Sequence, residues 1–236
     1  MSTYKIINDR EELQRFVDFL PELAEGEAYY FCLFARKKYA PNSSLKSDKC
    51  SLKRFISTSK SRLIDKIEKL EVKLGNYKMD GLEVPNESLV LYMMPNPRNT
   101  LKVLTEFNKF VLDQLVIKGN KNINPIQELM SFYQKEKSYT FVQDFEFDFE
   151  KTEDNFEQIK GFLGYFLNPE SYTIIESRGG FHVLVQPSKI EESKRRVYHQ
   201  NIQTFAWYDK QSKTDSLLPV PGCIQGGFVP FIHNHS

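Results

Sequence analysis

Long apolar runs are missing from this 236-residue chain: each is broken by Lys, Arg, Asn or Asp well short of the ~18–20 residues a membrane-spanning helix needs. Residues 1–12 hold no apolar signal-peptide core, so no membrane association is expected. Cysteine is scarce. Cys32, Cys50 and Cys223 are odd in number and far apart, which excludes a disulfide framework and zinc-ligand spacing and fits a reducing, cytoplasmic compartment. No repeat or low-complexity tract occurs, and a net charge of +1 gives no global electrostatic signature.

What is present is the composition of an ordinary globular protein, 40% apolar, 27% charged and 14% aromatic. The length allows one large domain or two closely packed modules, and no long linker separates two halves. Charge is unevenly spread. Residues 36–73 carry twelve Lys and Arg against four acids, whereas residues 144–157 carry seven acids against Lys151. A basic arm and an acidic cluster in one protein suit a site that holds a polyanion on one surface and metal cations on another; two solvated faces give the same distribution.

Apolar spacing predicts a helix over 9–23, capped by Asp9, strands over 28–35 and 50–58, and a helix over 60–74 stopped by Gly75. A short strand over 89–93 is expected to stop at Pro95-Asn96-Pro97, followed by helices over 101–117 and 125–135. Residues 139–149 alternate, with Phe141, Phe145, Phe147 and Phe149 on one side and Val142, Asp144, Glu146 and Asp148 on the other, so one face is buried and the other acidic. A helix over 153–167, strands over 172–177 and 181–186 around a two-residue Gly179-Gly180 turn, a helix over 190–208 and a last strand over 228–232 complete the chain.

Three stretches carry chemistry. In Asp144-Phe145-Glu146-Phe147-Asp148, residues two apart on a strand share a face about 6.6 Å apart, close enough for neighbouring carboxylates to grip one divalent ion or bridge two. Asp144 and Asp148, about 13 Å apart, are too distant for one ion. The working pair is Asp144 with Glu146 or Glu146 with Asp148, the first being favoured because the acids begin where the apolar approach ends. Three like charges on one strand face repel each other unless a cation offsets them. In Glu176-Ser177-Arg178-Gly179-Gly180-Phe181-His182, glycines let backbone approach a ligand, Arg178 suits phosphate oxygens and His182 opens the return strand; a tight hairpin also explains the glycines. Asp215 precedes a segment stiffened by Pro219 and Pro221 and turned at Gly222, where it can supply a third carboxylate or serve as a cap.

Together these stretches resemble the archaeo-eukaryotic primase (primase-polymerase) superfamily of phage and plasmid type. Asp144-Phe145-Glu146 resembles that family's acid-x-acid, Ser177 to His182 its Ser-x-His hairpin with extra residues between, and Asp215 its later acid, in the family's order. Leu218-Pro219-Val220-Pro221-Gly222 is similar to the Pro-Gly turn that follows the third acid. The signatures cover residues 138–236. The resemblance implies an α/β protein of α+β type, with an amino-terminal α/β module bearing the basic arm (1–137) packed on a carboxy-terminal RRM-like, metal-binding catalytic module with a mixed or antiparallel sheet (138–236). It implies that Asp144, Glu146 and Asp215, with Asp148 as a further candidate, hold two Mg²⁺ or Mn²⁺ ions, and that Ser177, Arg178, Gly180 and His182 bind a nucleoside triphosphate.

In the first half, Arg98 after Asn96-Pro97 is a candidate phosphate contact. Arg36, Lys37, Lys38, Lys53 and Arg54, with Lys60 and Arg62 further on and Tyr29, Tyr30 and Tyr39 nearby, are candidates for tracking a single strand by charge and stacking. His199, in mid-helix, and His233 and His235, at a frayed end, have no assigned role. The expected function is a template-dependent DNA primase or primase-polymerase on single-stranded DNA, with any helicase or replication initiator a separate protein. The rivals are a non-catalytic, nucleic-acid-binding initiator module and a metal nuclease using the same acids.

Overall fold

The structure is a computed structural model that describes residues 2–120, 122–205, 208–209 and 213–233. It is a mixed α/β protein of the α+β type, built on two four-stranded sheets whose paired strands all run antiparallel. Among the described residues no helix is long and apolar enough to cross a membrane.

The chain opens with α1 (Arg10–Phe19), whose first turn is closed by Asp9 accepting from the Glu12 amide at 2.9 Å. Next come β1 (Glu27–Arg36), β2 (Lys49–Ser57), α2 (Leu63–Glu68) and a small hairpin of β3 (Lys78–Met79) and β4 (Leu82–Glu83). Helix α2 is shorter than the apolar spacing predicts. Past Glu68 the backbone turns to meet the amino-terminal segment, where Tyr4 donates to the Val72 carbonyl and the Glu71 carboxylate accepts from the Ile6 and Ile7 amides. Tertiary pairing with a distant segment outweighs helix periodicity there, and Leu74 is left exposed.

Strand β5 (Leu89–Asn99) runs straight through Pro95 and Pro97 instead of stopping before them. The prolines fall where its register with β1 shifts, between the Tyr30↔Met94 and Ala28↔Arg98 pairs, and beyond the two residues paired on its other side, so no ladder hydrogen bond needs their missing N–H. Helix α3 (Thr100–Leu112), capped by Asn99, passes into a π-helical turn over Asp113–Ile117, and α4 (Pro125–Lys135) starts with Asn124 as cap and proline in its first turn.

The second sheet begins at β6 (Gln143–Phe147), followed by α5 (Glu153–Gly164), β7 (Tyr172–Glu176), β8 (Phe181–Val185) and α6 (Tyr198–Gln203); β9 (Leu218–Pro219) and β10 (Phe231–Ile232) end the chain. Strand β6 is shorter than the alternation suggests because the Phe141 and Val142 amides donate to the Asn96 side chain rather than to a strand. The loop between β7 and β8 has four residues, since Glu176 pairs with Phe181. The helix expected over 190–208 shrinks to α6, because residues 191–196, all polar, offer no apolar face. Residues 206, 207, 210–212 and 234–236, with His235 and part of that expected helix, lie outside the described residues.

The first sheet has the order β2-β1-β5-β9 and the second β10-β7-β8-β6. The first therefore takes its fourth strand from residues 218–219, so the chain crosses back after building most of the second. One face of the first sheet (Tyr29, Phe31, Leu33, Leu91, Met93) packs on α1 and α2; the other (Tyr30, Cys32, Val90, Met94) packs on α3 and α4 through Val103 and Tyr133. In the second sheet Phe145, Phe147, Phe181 and Val183 face α5 and α6. The opposite face puts Ile175 and Leu184 into the first sheet's core and turns Asp144, Glu146 and His182 toward it as well. The period-2 alternation is thus used on both sides, one aromatic and one polar.

Packing requires Gly180, since a Cβ there would overlap the Phe147 carbonyl at the end of β6. Gly180→Ala should therefore destabilise the protein by roughly 1–3 kcal/mol, the usual penalty of overpacking. Urea unfolding checks this, and an unchanged midpoint would contradict it.

Candidate metal centre in the cleft between the sheets

Antiparallel pairing of β6 with β8 sets Glu146 directly opposite His182 and Asp144 one pair further along, all on one face. The His182 Nδ1 lies 3.0 and 3.1 Å from the two Asp144 carboxylate oxygens and 3.8 Å from Glu146 Oε1. One donor atom from each of the three lies within 4.8 Å of the others, a group able to hold a metal ion. Its donors, two carboxylates and an imidazole, suit a divalent cation of the Mn²⁺, Fe²⁺ or Zn²⁺ kind at least as well as Mg²⁺.

The acidic face is not the wet surface that alternation alone suggests. Asp144 is only 1% exposed, and its carboxylate also accepts from the Ser216 hydroxyl at 3.3 Å. Burial raises the pKa of Glu146, and the neighbouring charges of Asp144, Asp148 and Asp209 add to the rise against the opposing pull of His182. For His182 burial works against the charged ring, but the charge and hydrogen bond of Asp144, together with Glu146 and Asp148, outweigh it and raise the pKa. A cation in this space replaces the proton that otherwise balances the carboxylates.

The free edge of β6 is covered by the segment that follows α6. The Asp209 amide donates to the Glu146 carbonyl at 2.9 Å, the Asp144 amide donates to the Thr214 carbonyl at 3.1 Å, and Phe147 bridges Tyr208. Asp215 follows at once, but its carboxylate is engaged elsewhere. It accepts from Arg98 through both terminal nitrogens, at 2.8 and 3.2 Å, and from Asn96 Nδ2 at 2.9 Å. Burial disfavours its charge, yet Arg98 and then Asn96 more than offset that and lower its pKa. Asp215 lines the same cleft as Glu146 without joining the three-residue cluster.

Arg98 departs from the expected phosphate contact. It is fully buried, with its guanidinium spent on Asp215 and on the carbonyls of Asn96 and Gln134, so it organises the interior of β5 and is not a surface contact for phosphate. Asn96 is buried too and ties Asp215 to the approach of β6.

The remaining candidates divide by position. Glu146, Asp148, Ser177, His182 and Asp215 line a cleft of about 770 Å³ together with Arg36, Lys38, Tyr39, Lys49, Tyr92 and Lys135 from the first sheet and its helix. Asp148 lies just past β6 and is exposed. Ser177 closes its own loop by donating to the Gly180 carbonyl at 3.2 Å. Arg178 leans over the Tyr39 ring, 4.5 Å from its centre, and donates to the Gly226 carbonyl, so it latches the hairpin loop onto the end of β1. Arg36 reaches Asp48 and Tyr92. Arg54 is held by Ser51 and Ser131, while Lys53 is exposed on β2. Tyr29 and Tyr30 are core residues.

Two residues depart from the sequence expectation. His182, expected to bind nucleotide alone, is seated with both acids by the pairing of β6 with β8, and no local pattern announces that pairing because α5 and β7 lie between the two strands. His233 is no frayed end: it stacks on Phe156 at 4.0 Å and meets Glu176 at 3.1 Å.

Comparison of the chain with protein-family models, curated proteins and solved structures returns no match.

Because its folded pKa is raised, charged His182 stabilises the metal-free protein fully below the ordinary histidine value near 6.5, and that contribution is lost as pH rises through the raised value. An NMR titration should place the His182 midpoint above 6.5 without metal and lower in Asp144→Asn. A midpoint unmoved by that substitution would contradict the pairing.

Proposed function

We propose that the chain is a template-dependent nucleotidyltransferase of primase-polymerase type, joining nucleoside triphosphates on a single-stranded DNA template with Mg²⁺ or Mn²⁺. The observation that carries this reading is the gathering of Asp144 with Glu146 and His182, the last two lining one wall of a cleft whose other wall is cationic. Acids and bases facing each other across a gap suit a ligand that is itself a polyanion with bound metal. The path of the second half also supports it. Tyr208, Asp209 and Thr214, which follow α6, bond to the free edge of β6, and with them the described elements keep the order of a β-α-β-β-α-β unit with β6 and β8 inside, the order of an RRM-like module.

In this reading Asp144, Glu146 and His182 would hold one cation, and Asp215, with Asp148 a further candidate, would serve a second; bound there, divalent ions would supply a lowered pKa for an attacking hydroxyl and charge neutralisation for a departing pyrophosphate. The chain's own part is alignment. Ser216 and His182 fix the Asp144 carboxylate, Arg98 and Asn96 fix Asp215, and Ser177 and Gly179 line the cleft beside them for the triphosphate. The exposed cations Lys38 and Lys53, with Lys37 and Arg54, are offered to the template backbone. A cytoplasmic location and a separate helicase or initiator belong to the same reading.

A primer-extension assay with Mn²⁺ or Mg²⁺ tests it. Wild type should lengthen a primed template; Asp144→Asn and Glu146→Gln should each lower the rate by roughly 10²-fold or more while binding single-stranded DNA nearly as well. Shortening of the template would identify a nuclease, and binding without either product would identify a non-catalytic initiator module.

A further inference from the structure

The wall facing the metal cluster contains a charge arrangement that the fold alone leaves unbalanced. Arg36, the last residue of β1, and Lys49, the first of β2, are directly opposed in the ladder, and like charges in that position repel. Arg36 has a carboxylate to itself, with Asp48 at 2.8 Å, and it also donates to the Tyr92 hydroxyl at 3.1 Å. Lys49 has none. Its ammonium lies 4.8 Å from the centre of the Phe34 ring and 5.8 Å from that of Tyr92, and among the described residues it meets no carboxylate or other acceptor. Ring faces attract a cation but accept none of its N–H bonds, and because Lys49 is exposed those donors are left to water rather than to a protein acceptor. Partial burial and then the charge of Arg36 depress the Lys49 pKa against the opposing pull of Asp48 and Glu146. Arg36, Lys49 and Tyr92 line the same cleft as Glu146 and His182.

We propose that Lys49, with Arg36 beside it, seats a phosphate group, that of a nucleoside polyphosphate or of a nucleic-acid backbone, across the cleft from Asp144, Glu146 and His182. The anion replaces water on the Lys49 ammonium with charge-assisted hydrogen bonds and relieves its repulsion with Arg36, while the Phe34 and Tyr92 rings lie against the lysine head. Residues of the first sheet thereby take part in recognition, and Lys49 belongs to none of the three stretches that carry the metal chemistry. The inference rests on the reading of the cleft as a site for phosphate esters.

Two probes test it: inorganic tripolyphosphate by calorimetry, and a labelled single-stranded DNA oligonucleotide without a 5′-phosphate by fluorescence anisotropy. Lys49→Gln should weaken binding of at least one probe by roughly tenfold, the scale of one charge-assisted hydrogen bond, and Lys49→Arg should restore most of it. A loss confined to tripolyphosphate identifies a polyphosphate seat; one confined to the oligonucleotide identifies a backbone phosphate, with a shallower salt dependence of binding. Equal affinity of wild type and Lys49→Gln for both probes, or a loss in Lys49→Arg as large as in Lys49→Gln, overturns the proposal. Wild-type primer extension is read in parallel. Its absence counts against the polymerase chemistry, while the two probes still decide the phosphate seat.

Discussion

Two carboxylates and an imidazole share one nearly dry patch of sheet, and the fold around them exists in a form that tolerates this. Asp144 is buried and Glu146 only partly exposed at the cleft, so water screens their repulsion poorly, and His182, held 3.0 Å from Asp144, offsets that repulsion only when it carries a proton. A buried group that depends on a proton for its balance also accepts a metal ion, because both supply positive charge to the same lone pairs. The register of β6 on β8 makes this juxtaposition unavoidable, since Glu146 and His182 are cross-strand partners.

The second structural theme is how the rest of the chain keeps this patch facing inward. The aromatic side of β6 and β8 is committed to α5 and α6, so the polar side must look toward the first sheet. There Ile175 and Leu184 seal the lower part against the core of the first sheet, while the upper part opens into the cleft. Asn96, Arg98 and Asp215 form a buried polar joint between β5 and the segment that leads to β9. Such a joint contributes little net stability but tolerates few alternative arrangements, because loss of any member strands a desolvated partner. It therefore holds Ser216 where its hydroxyl reaches Asp144.

Much of this was legible in the residues. The cap at Asp9, the strand nature of the 28–35 and 50–58 segments and the two-faced β6 follow from local chemistry and period. The misreadings share a cause. Pro95 and Pro97 act as strand breakers only where the ladder needs their N–H, and a bulge against β1 removes that need. The helix after residue 60 ends early because a segment some 65 residues away claims its backbone. Arg98 resembled a surface cation because a fully buried arginine is rare; its partner Asp215 lies 117 residues further on, and no local pattern announces the pair. For the site, the acid-x-acid spacing marked two of the three clustered residues, but only the cross-strand register joins His182 to them.

The most direct measurement is a crystal structure of the protein soaked in Mn²⁺, read by anomalous scattering. The account predicts a peak enclosed by the Asp144 and Glu146 carboxylates and the His182 ring, inside the cleft. A well-diffracting crystal with no peak there, and with His182 still closed on Asp144, would contradict it.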